Sequence, residues 1–316
     1  MTPQEMKAQL AALGRMVEEH LAESLPALVS ECMPGCTHGC GAPRSLVEAM
    51  EYSLMAGGKR LRPVLCLAAA GLLGLSPRKV LPFACGIECI HTYSLIHDDL
   101  PAMDDDDMRR GKPSNHKMFG EATAILAGDA LLTEAFSYMT SVAEPFAAGE
   151  GLPADRVLRA LAEMASASGA GGMVGGQELD MRYTARDAVS YEELRTMHAM
   201  KTGALIRASC LSGAILAGAE AEDISRLRGY GERIGAAFQI VDDILDEVGD
   251  EAQLGKPVGS DQAQGKTTYP SLLGLERSRE LAQQHVDVAV AQIAPYTGEY
   301  AKFLRALAQY IVDRVS

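Results

Sequence analysis

The chain has 316 residues, 47% of them hydrophobic, with 29 basic and 42 acidic side chains and a formal net charge of −13. That acidity, with no basic stripe to offset it, excludes a general nucleic-acid surface. Any phosphate chemistry must therefore use metal ions or a few local cations. The length suits one large domain or two ordinary ones.

Helical periodicity recurs almost everywhere, and no β-branched alternating run stands out. It predicts helices over 3–29, 44–56, 61–75, 79–98, 120–142, 154–170, 190–218, 222–248, 270–294 and 298–314. The first stretch, "MTPQEMKAQLAALGRMVEEH", reads as an amphipathic helix rather than a secretory signal. Breakers such as "PGCTHGCGAP", "GLSPRK", "RRGKPSN" and "EPFAAGEGLPAD" fall between helices, and none is long or polar enough to divide two cores. No uncharged apolar run reaches the roughly 18 residues a membrane span needs, so the expectation is a soluble, cytoplasmic protein. Stretches rich in Ala, Gly and Met, such as "MASASGAGGMVGGQ" and "IRASCLSGAILAGA", allow close backbone approach. The expected architecture is all-α, a single-domain antiparallel helix bundle around a central cavity. The apolar stretch 203–219 belongs at its centre or against a partner subunit.

Of the seven cysteines, Cys32, Cys36 and Cys40 cluster with His38. Three thiols and an imidazole suit zinc, but their spacing matches no standard zinc pattern, and a Gly/Pro-rich loop is the plainer reading. Cys85 and Cys89, four apart on a predicted helix, read as small core residues.

Two acidic clusters carry the chemistry. "LIHDDLPAMDDDDMRRGKP" (95–113) taken alone is an ordinary solvated charge run. Downstream, "AAFQIVDDILDEVGD" sets Asp242, Asp243 and Asp246 in a strongly apolar helix. Asp242 and Asp246 fall on one face, about 6 Å apart along the axis, and such like charges repel unless a cation lies between them. Hard oxygen ligands with open positions suit Mg²⁺ together with substrate phosphates. In an unbroken helix Asp98 and Asp104 would stand about 240° apart. Pro101 disfavours such a helix and predicts a bend that returns Asp104 towards Asp98 and Asp99. The cations recur beside these carboxylates. "AGGKRLRP" offers Lys59, Arg60 and Arg62, after two glycines, to an anion. Arg109 and Arg110 follow the first aspartates, "HAMKTGAL" carries Lys201, and "LGKPVGSDQAQGKTTYP" carries Lys256 and Lys266 without P-loop spacing.

Taken together, "GGKRLRP" (57–63), "IHTYSLIHDDLPAMDDDDMRRGKP" (90–113), "EATAILAGDALL" (121–132), "GGQELDM" (175–181), "KTGALI" (201–206), "FQIVDDILD" (238–246) and "GKTTYPSLLG" (265–274) resemble the trans-isoprenyl diphosphate synthases, most of all their bacterial farnesyl branch. The Cys-rich segment 31–43 departs from that pattern. The resemblance implies a head-to-tail condensation, a homodimer, and several Mg²⁺ ions per site, with Mn²⁺ as an alternative. Isopentenyl diphosphate would be held by Lys59, Arg62, His91 and Arg110. The allylic diphosphate would be held through metal on Asp98 and Asp104, with Asp99 assisting, and on Asp242, with Asp243 and Asp246 nearby. Arg109, Lys201 and Lys256 would touch its oxygens, and Lys266 would close the loop over the site. Thr202 and Gln239 would aim oxygens at the developing carbocation. No basic side chain is evidently placed for the lost proton, which leaves the released diphosphate as acceptor.

The resemblance also bears on product length. Tyr93 lies about 7.5 Å before Asp98 along the helix axis. In the family a bulky aromatic there floors the pocket near fifteen carbons, with a small residue such as Ser94 beside it. Plain core is the alternative for Tyr93. Other activities stay open at this level: a geranylgeranyl diphosphate synthase, a terpene cyclase, or a non-catalytic partner subunit. A cyclase would not need Lys59 and Arg62, and a subunit would be expected to lack one aspartate cluster.

Overall fold

The first helix begins where its own sequence closes a cap. The Glu5 amide donates to Thr2 Oγ1 at 3.2 Å, and the Thr2 amide donates to Glu5 Oε2 at 2.7 Å, which starts α1 (Pro3–Ser24) with a capping box. The structure, a computed structural model, describes residues 1–29, 41–143, 151–184, 186, 188–249 and 265–315. After α1 come α2 (Arg44–Leu54), α3 (Leu61–Leu72), α4 (Pro77–Asp98), a small hairpin of β1 (Met108–Arg109) and β2 (Lys112–Pro113), and α5 (Asn115–Phe119). Then follow α6 (Glu121–Ser141), α7 (Ala154–Ser168), α8 (Met173–Thr184), α9 (Tyr191–His198), α10 (Ala204–Ala217) and α11 (Ala221–Val248). The described chain finishes with α12 (Tyr269–Leu273), α13 (Leu275–Gln292) and α14 (Glu299–Val312). The fold is all-α, and the hairpin is its only sheet among the described residues.

The apolar stretch 203–219 takes the centre, as its composition requires. Every residue of α10 except Arg207 and Ala217 is buried, and the helix packs on α3, α7 and α11. Small residues make this possible: a Cβ on Gly213 would sit 2.2 Å from the Cys66 carbonyl oxygen. Cys85 and Cys89 are buried in the core. Cys32, Cys36, His38 and Cys40 lie outside the described residues. None of the described helices is long and apolar enough to cross a membrane.

The departures from the predicted elements sit around one region. The predicted helix 190–218 is two helices joined by a π-helical turn, Ala199–Gly203. Neighbouring helices press on that turn through glycines. A Cβ on Gly176 of α8 would lie 2.2 Å from the Lys201 nitrogen, and one on Gly235 of α11 would lie 2.9 Å from Gly203 Cα. Helix α8 itself escaped the periodicity because glycines weaken its first turn. The predicted 270–294 helix breaks at Gly274, whose φ of +80° only glycine adopts readily. The breaker "RRGKPSN" is in fact the hairpin. Arg110 and Gly111 have φ of 53° and 74°, the doubly positive pair that matches a two-residue turn to strand twist.

Candidate active site

These elements enclose a cavity of about 540 Å³. Its walls come from α3 (Arg62), α4 (His91, Leu95, Asp98), the following loop and hairpin (Asp104, Asp106, Asp107, Met108, Arg109, Arg110) and α8 (Asp180). The other side comprises α9 (Met197, His198), the π-turn (Lys201, Thr202), α11 (Phe238, Gln239, Asp242, Asp243), residues 266–268 and Arg314.

The bend predicted at Pro101 forms. Helix α4 stops at Asp98, and the chain turns back so that the Asp104 amide donates to the Asp98 carbonyl at 2.9 Å. Asp98 and Asp104 therefore reach one cavity. Asp99 turns away from it: buried, it accepts from Arg109 Nε at 2.9 Å and also from Arg109 Nη2, while Nη2 reaches Asp106 at 3.1 Å. Its observed role is to anchor Arg109 in the wall. Burial raises the Asp98 carboxyl to about 6, with Lys201 opposing and Asp104 adding to the rise.

On α11, Asp242 faces the cavity, with Arg314 Nη1 at 3.3 Å from its Oδ1. Asp243 works as an anchor: it accepts from Gln239 Nε2 and from the Tyr269 amide, both at 2.9 Å. That contact orients the Gln239 amide, whose Oε1 accepts from Thr202 Oγ1 at 2.7 Å. Both oxygens keep a further lone pair for the cavity. Asp246 is buried and does not line the cavity.

Asp180 was not singled out by the sequence, although "GGQELDM" contains it. It joins the two lysines: Lys201 Nζ donates to its Oδ2 at 2.6 Å, Lys266 Nζ stands 3.8 Å from the same oxygen, and Lys266 also lies 3.4 Å from Asp104. Burial would raise the Asp180 carboxyl, but Lys201 and Lys266 outweigh it and hold the group below its ordinary value. His198 and Arg314 also line the cavity. His198 precedes Lys201 by three residues, a helical spacing that was its only sequence signal, and Arg314 had none. Lys256 lies outside the described residues.

A basic corner completes the cavity. Arg62 Nη1 is 3.2 Å from His91 Nε2. A guanidinium only donates, so that imidazole nitrogen accepts. Burial pushes the His91 pKa well down, with Arg62 and Arg110 adding to the effect, and keeps the ring neutral. Arg62 Nε is buried without a partner. The two glycines expected to approach an anion instead admit Arg110, whose Nη1 donates to the Gly57 carbonyl. A Cβ on Gly58 would fall 2.8 Å from the Arg110 Cζ. Lys59 is exposed and is not among the lining residues. Partial desolvation and Arg314 lower its pKa, and Asp242 opposes them. Arg60, expected to face an anion with its neighbours, points the other way into the core. Tyr93 and Ser94 are not among the lining residues: Tyr93 packs edge-on to His97 at 5.8 Å, and Ser94 Oγ donates to the His91 carbonyl at 2.9 Å.

The donor set fits Mg²⁺, which takes one or two carboxylates plus waters and phosphates rather than an all-protein cage. Asp98 from α4, Asp104 from the loop after it and Asp242 from α11 supply hard oxygens without closing into a tight three-ligand group. Among the described residues that closeness, within 4.8 Å, belongs to Asp105, Asp107 and His116, where Lys117 already pairs with Asp107 at 2.7 Å.

The polyprenyl synthetase pattern matches residues 43–306. The chain is 52% identical over 247 residues to farnesyl diphosphate synthase of Bacillus subtilis, covering 78% of this chain and 81% of that one. It is 47% identical over 295 residues to geranylgeranyl pyrophosphate synthase 11, chloroplastic, of Arabidopsis thaliana, covering 93% and 80%. The solved structure of an FPP/GFPP synthase from Zymomonas mobilis superposes with a TM-score of 0.82 at 38% identity, covering 98% of this chain and all of that one. The chain belongs to the polyprenyl synthetase family. It is a transferase of the prenyl class.

In this polyprenyl synthetase, burial disfavours the ionised form of Asp98. The folded pKa of Asp98, about 6, lies above its ordinary 3.8. Its contribution to stability is thus present at low pH and is lost as pH rises through about 6, whereas metal binding needs the ionised form. Calorimetric Mg²⁺ affinity should fall about tenfold per pH unit below about 6. An affinity that stays flat down to about pH 4.5 would contradict the placement of Asp98.

Proposed function

We propose that this enzyme condenses isopentenyl diphosphate with dimethylallyl or geranyl diphosphate to give farnesyl diphosphate. The observation that carries the reading is a single cavity lined by Asp98 at the end of α4, Asp104 in the loop that follows, Asp242 on α11, and the Arg62–His91–Arg110 corner. Mg²⁺ ions at the aspartates would supply electrostatic stabilisation of the charge that develops on the leaving diphosphate. Arg109, Lys201, Lys256 and Lys266 bind the allylic diphosphate oxygens, and Lys59, Arg62, His91 and Arg110 bind isopentenyl diphosphate.

The allylic C–O bond breaks and its electron pair leaves with diphosphate. Thr202 and Gln239 oxygens face the resulting cation, and the enclosed cavity limits quenching by water. The isopentenyl double bond then forms the new C–C bond, and a proton leaves the adjacent carbon. The cavity histidines are poor bases, since burial holds His91 well below its ordinary value and His198 at about 3. The released diphosphate accepts the proton.

For product length, Leu95 and His91 of α4 line the cavity on either side of Tyr93, which does not line it and is 6% exposed. We place the floor at Tyr93, with Ser94 beside it, giving fifteen carbons. Among the relatives' names are both farnesyl and geranylgeranyl synthases, so the assignment rests on this floor. Product profiling from geranyl and isopentenyl diphosphates should give farnesyl diphosphate, and Tyr93→Ala should lengthen it. A twenty-carbon main product from the wild type would overturn the length assignment. Asp98→Ala and Asp242→Ala should each cut turnover by about 100-fold or more, and near-normal rates would remove those residues from the metal sites.

The chain forms one synthase domain over 1–316, acts in the cytoplasm and pairs with a second copy. The pairing is supported by exposed apolar side chains on α6 and just before it: Ile125 at 43%, Leu126 at 57%, Phe136 at 38% and Met118 at 51%. Exposed large hydrophobics gathered on neighbouring elements favour an interaction face. Light scattering should return a dimer mass, and a monomer mass would refute the pairing.

A further inference from the structure

We infer that Arg60, which lines no part of the cavity, is the positioning residue of the isopentenyl diphosphate corner: its buried guanidinium locks the segment carrying Lys59 and Arg62 onto the helix carrying His91. The inference rests on the subsite reading given above. Arg60 is 3% exposed. Its Nε donates to Glu18 Oε1 at 3.0 Å, its Nη1 to Glu88 Oε1 at 2.8 Å, and its Nη2 to the Leu54 carbonyl at 2.7 Å. One side chain thereby ties α1, the end of α2 and α4 together. The stem packs on Gly14 of α1, where an added Cβ would stand 3.8 Å away.

The backbone shows what this clamp holds in place. Arg60 has φ 49° and ψ 33°, a left-handed conformation rare for a side chain with a Cβ, at the position that starts α3. No side-chain cap supports that start, so the guanidinium contacts hold the turn. The turn aims the next cation, Arg62, at His91, 3.2 Å away. Glu88 stands three residues before His91 on α4, about 4.5 Å along the axis. Position is therefore transmitted through a single buried pair, from the helix that bears the imidazole to the segment that bears Lys59 and Arg62.

Charge gives the same assignment. Glu88 is the leading charge that helps Arg62 and Arg110 keep their protons against burial. A buried carboxylate behind an anion site would also draw those guanidiniums inward and repel diphosphate. Arg60 engages it with a charge-assisted bond and leaves the two cavity arginines facing outward. Removing Arg60 alone leaves Glu88 buried without that partner, whereas removing both charges does not.

The test is calorimetric, on the full chain. Isopentenyl diphosphate is titrated in EDTA, because its corner holds cations rather than metal ligands, and geranyl diphosphate is titrated with Mg²⁺. Arg60→Lys keeps the charge but not the three-way fork, and should weaken isopentenyl diphosphate about tenfold while geranyl diphosphate changes by less than about twofold. Arg60→Met should weaken it further, and adding Glu88→Gln to Arg60→Met should recover part of the loss. Where Arg60→Met does not fold, Arg60→Lys carries the test. A parallel loss for both ligands, or unchanged isopentenyl diphosphate binding by folded Arg60→Lys, would overturn the inference. A wild type that binds isopentenyl diphosphate in EDTA yet makes no product would contradict the proposed function alone. Wild-type protein that does not bind it would remove the corner as an anion site, and this inference with it.

Discussion

Charge buried among helices must be compensated, and this protein compensates it between elements. Arg60 meets Glu88, Arg109 meets Asp99, Lys201 meets Asp180, Lys266 meets Asp104, and Arg314 meets Asp242. The Arg60–Glu88 pair is buried on both sides, at 1% and 2% side-chain exposure, and breaking such a pair by removing one partner typically costs about 3–5 kcal/mol, so it binds position as well as charge. The two kinds of pair differ in use. In Arg60–Glu88 and Arg109–Asp99 the carboxylate lies off the cavity and holds its arginine in place. Lys266–Asp104 and Arg314–Asp242 are longer, at 3.4 and 3.3 Å, and all four residues line the cavity.

The irregular backbone is concentrated at the same place. Of the residues with a Cβ, Arg60, Asp105 and Arg110 have positive φ among those described, and all three flank the cavity or its supports. The π-turn that presents Lys201 and Thr202 is wedged by Gly176 and Gly235. Strain of this kind persists only where the surroundings over-determine it, and here the guanidinium contacts and glycine-mediated packing do so. Regular helices supply the frame, and the departures from regularity aim the side chains.

This division explains what the sequence made legible. Periodicity located the long helices and the central α10, because burial of a helical face is written in composition. Pro101 correctly forecast the bend that unites Asp98 with Asp104. Periodicity missed α8, whose early glycines serve the close approach to Lys201, and it merged α9 with α10, because a π-turn keeps the apolar pattern while shifting its phase. The residue types around the cavity were readable, but their partners were not. Arg60 looked like its neighbours Lys59 and Arg62, and only a left-handed backbone turns it inward. Asp99 looked like Asp98, and one helix-end position sends it to Arg109 instead. Asp180 and Arg314 gain their meaning only from Lys201 and Asp242, which lie far away in sequence.

A diphosphate gripped by two carboxylate walls through divalent cations must take up metal as it binds. Calorimetry with geranyl diphosphate, in saturating Mg²⁺ and in EDTA, counts the ions taken up per ligand bound. More than one ion per diphosphate is expected, with an affinity at least about 100-fold weaker in EDTA, since bare carboxylates repel the ligand. Equal affinity in EDTA, with no metal taken up on binding, would contradict that grip.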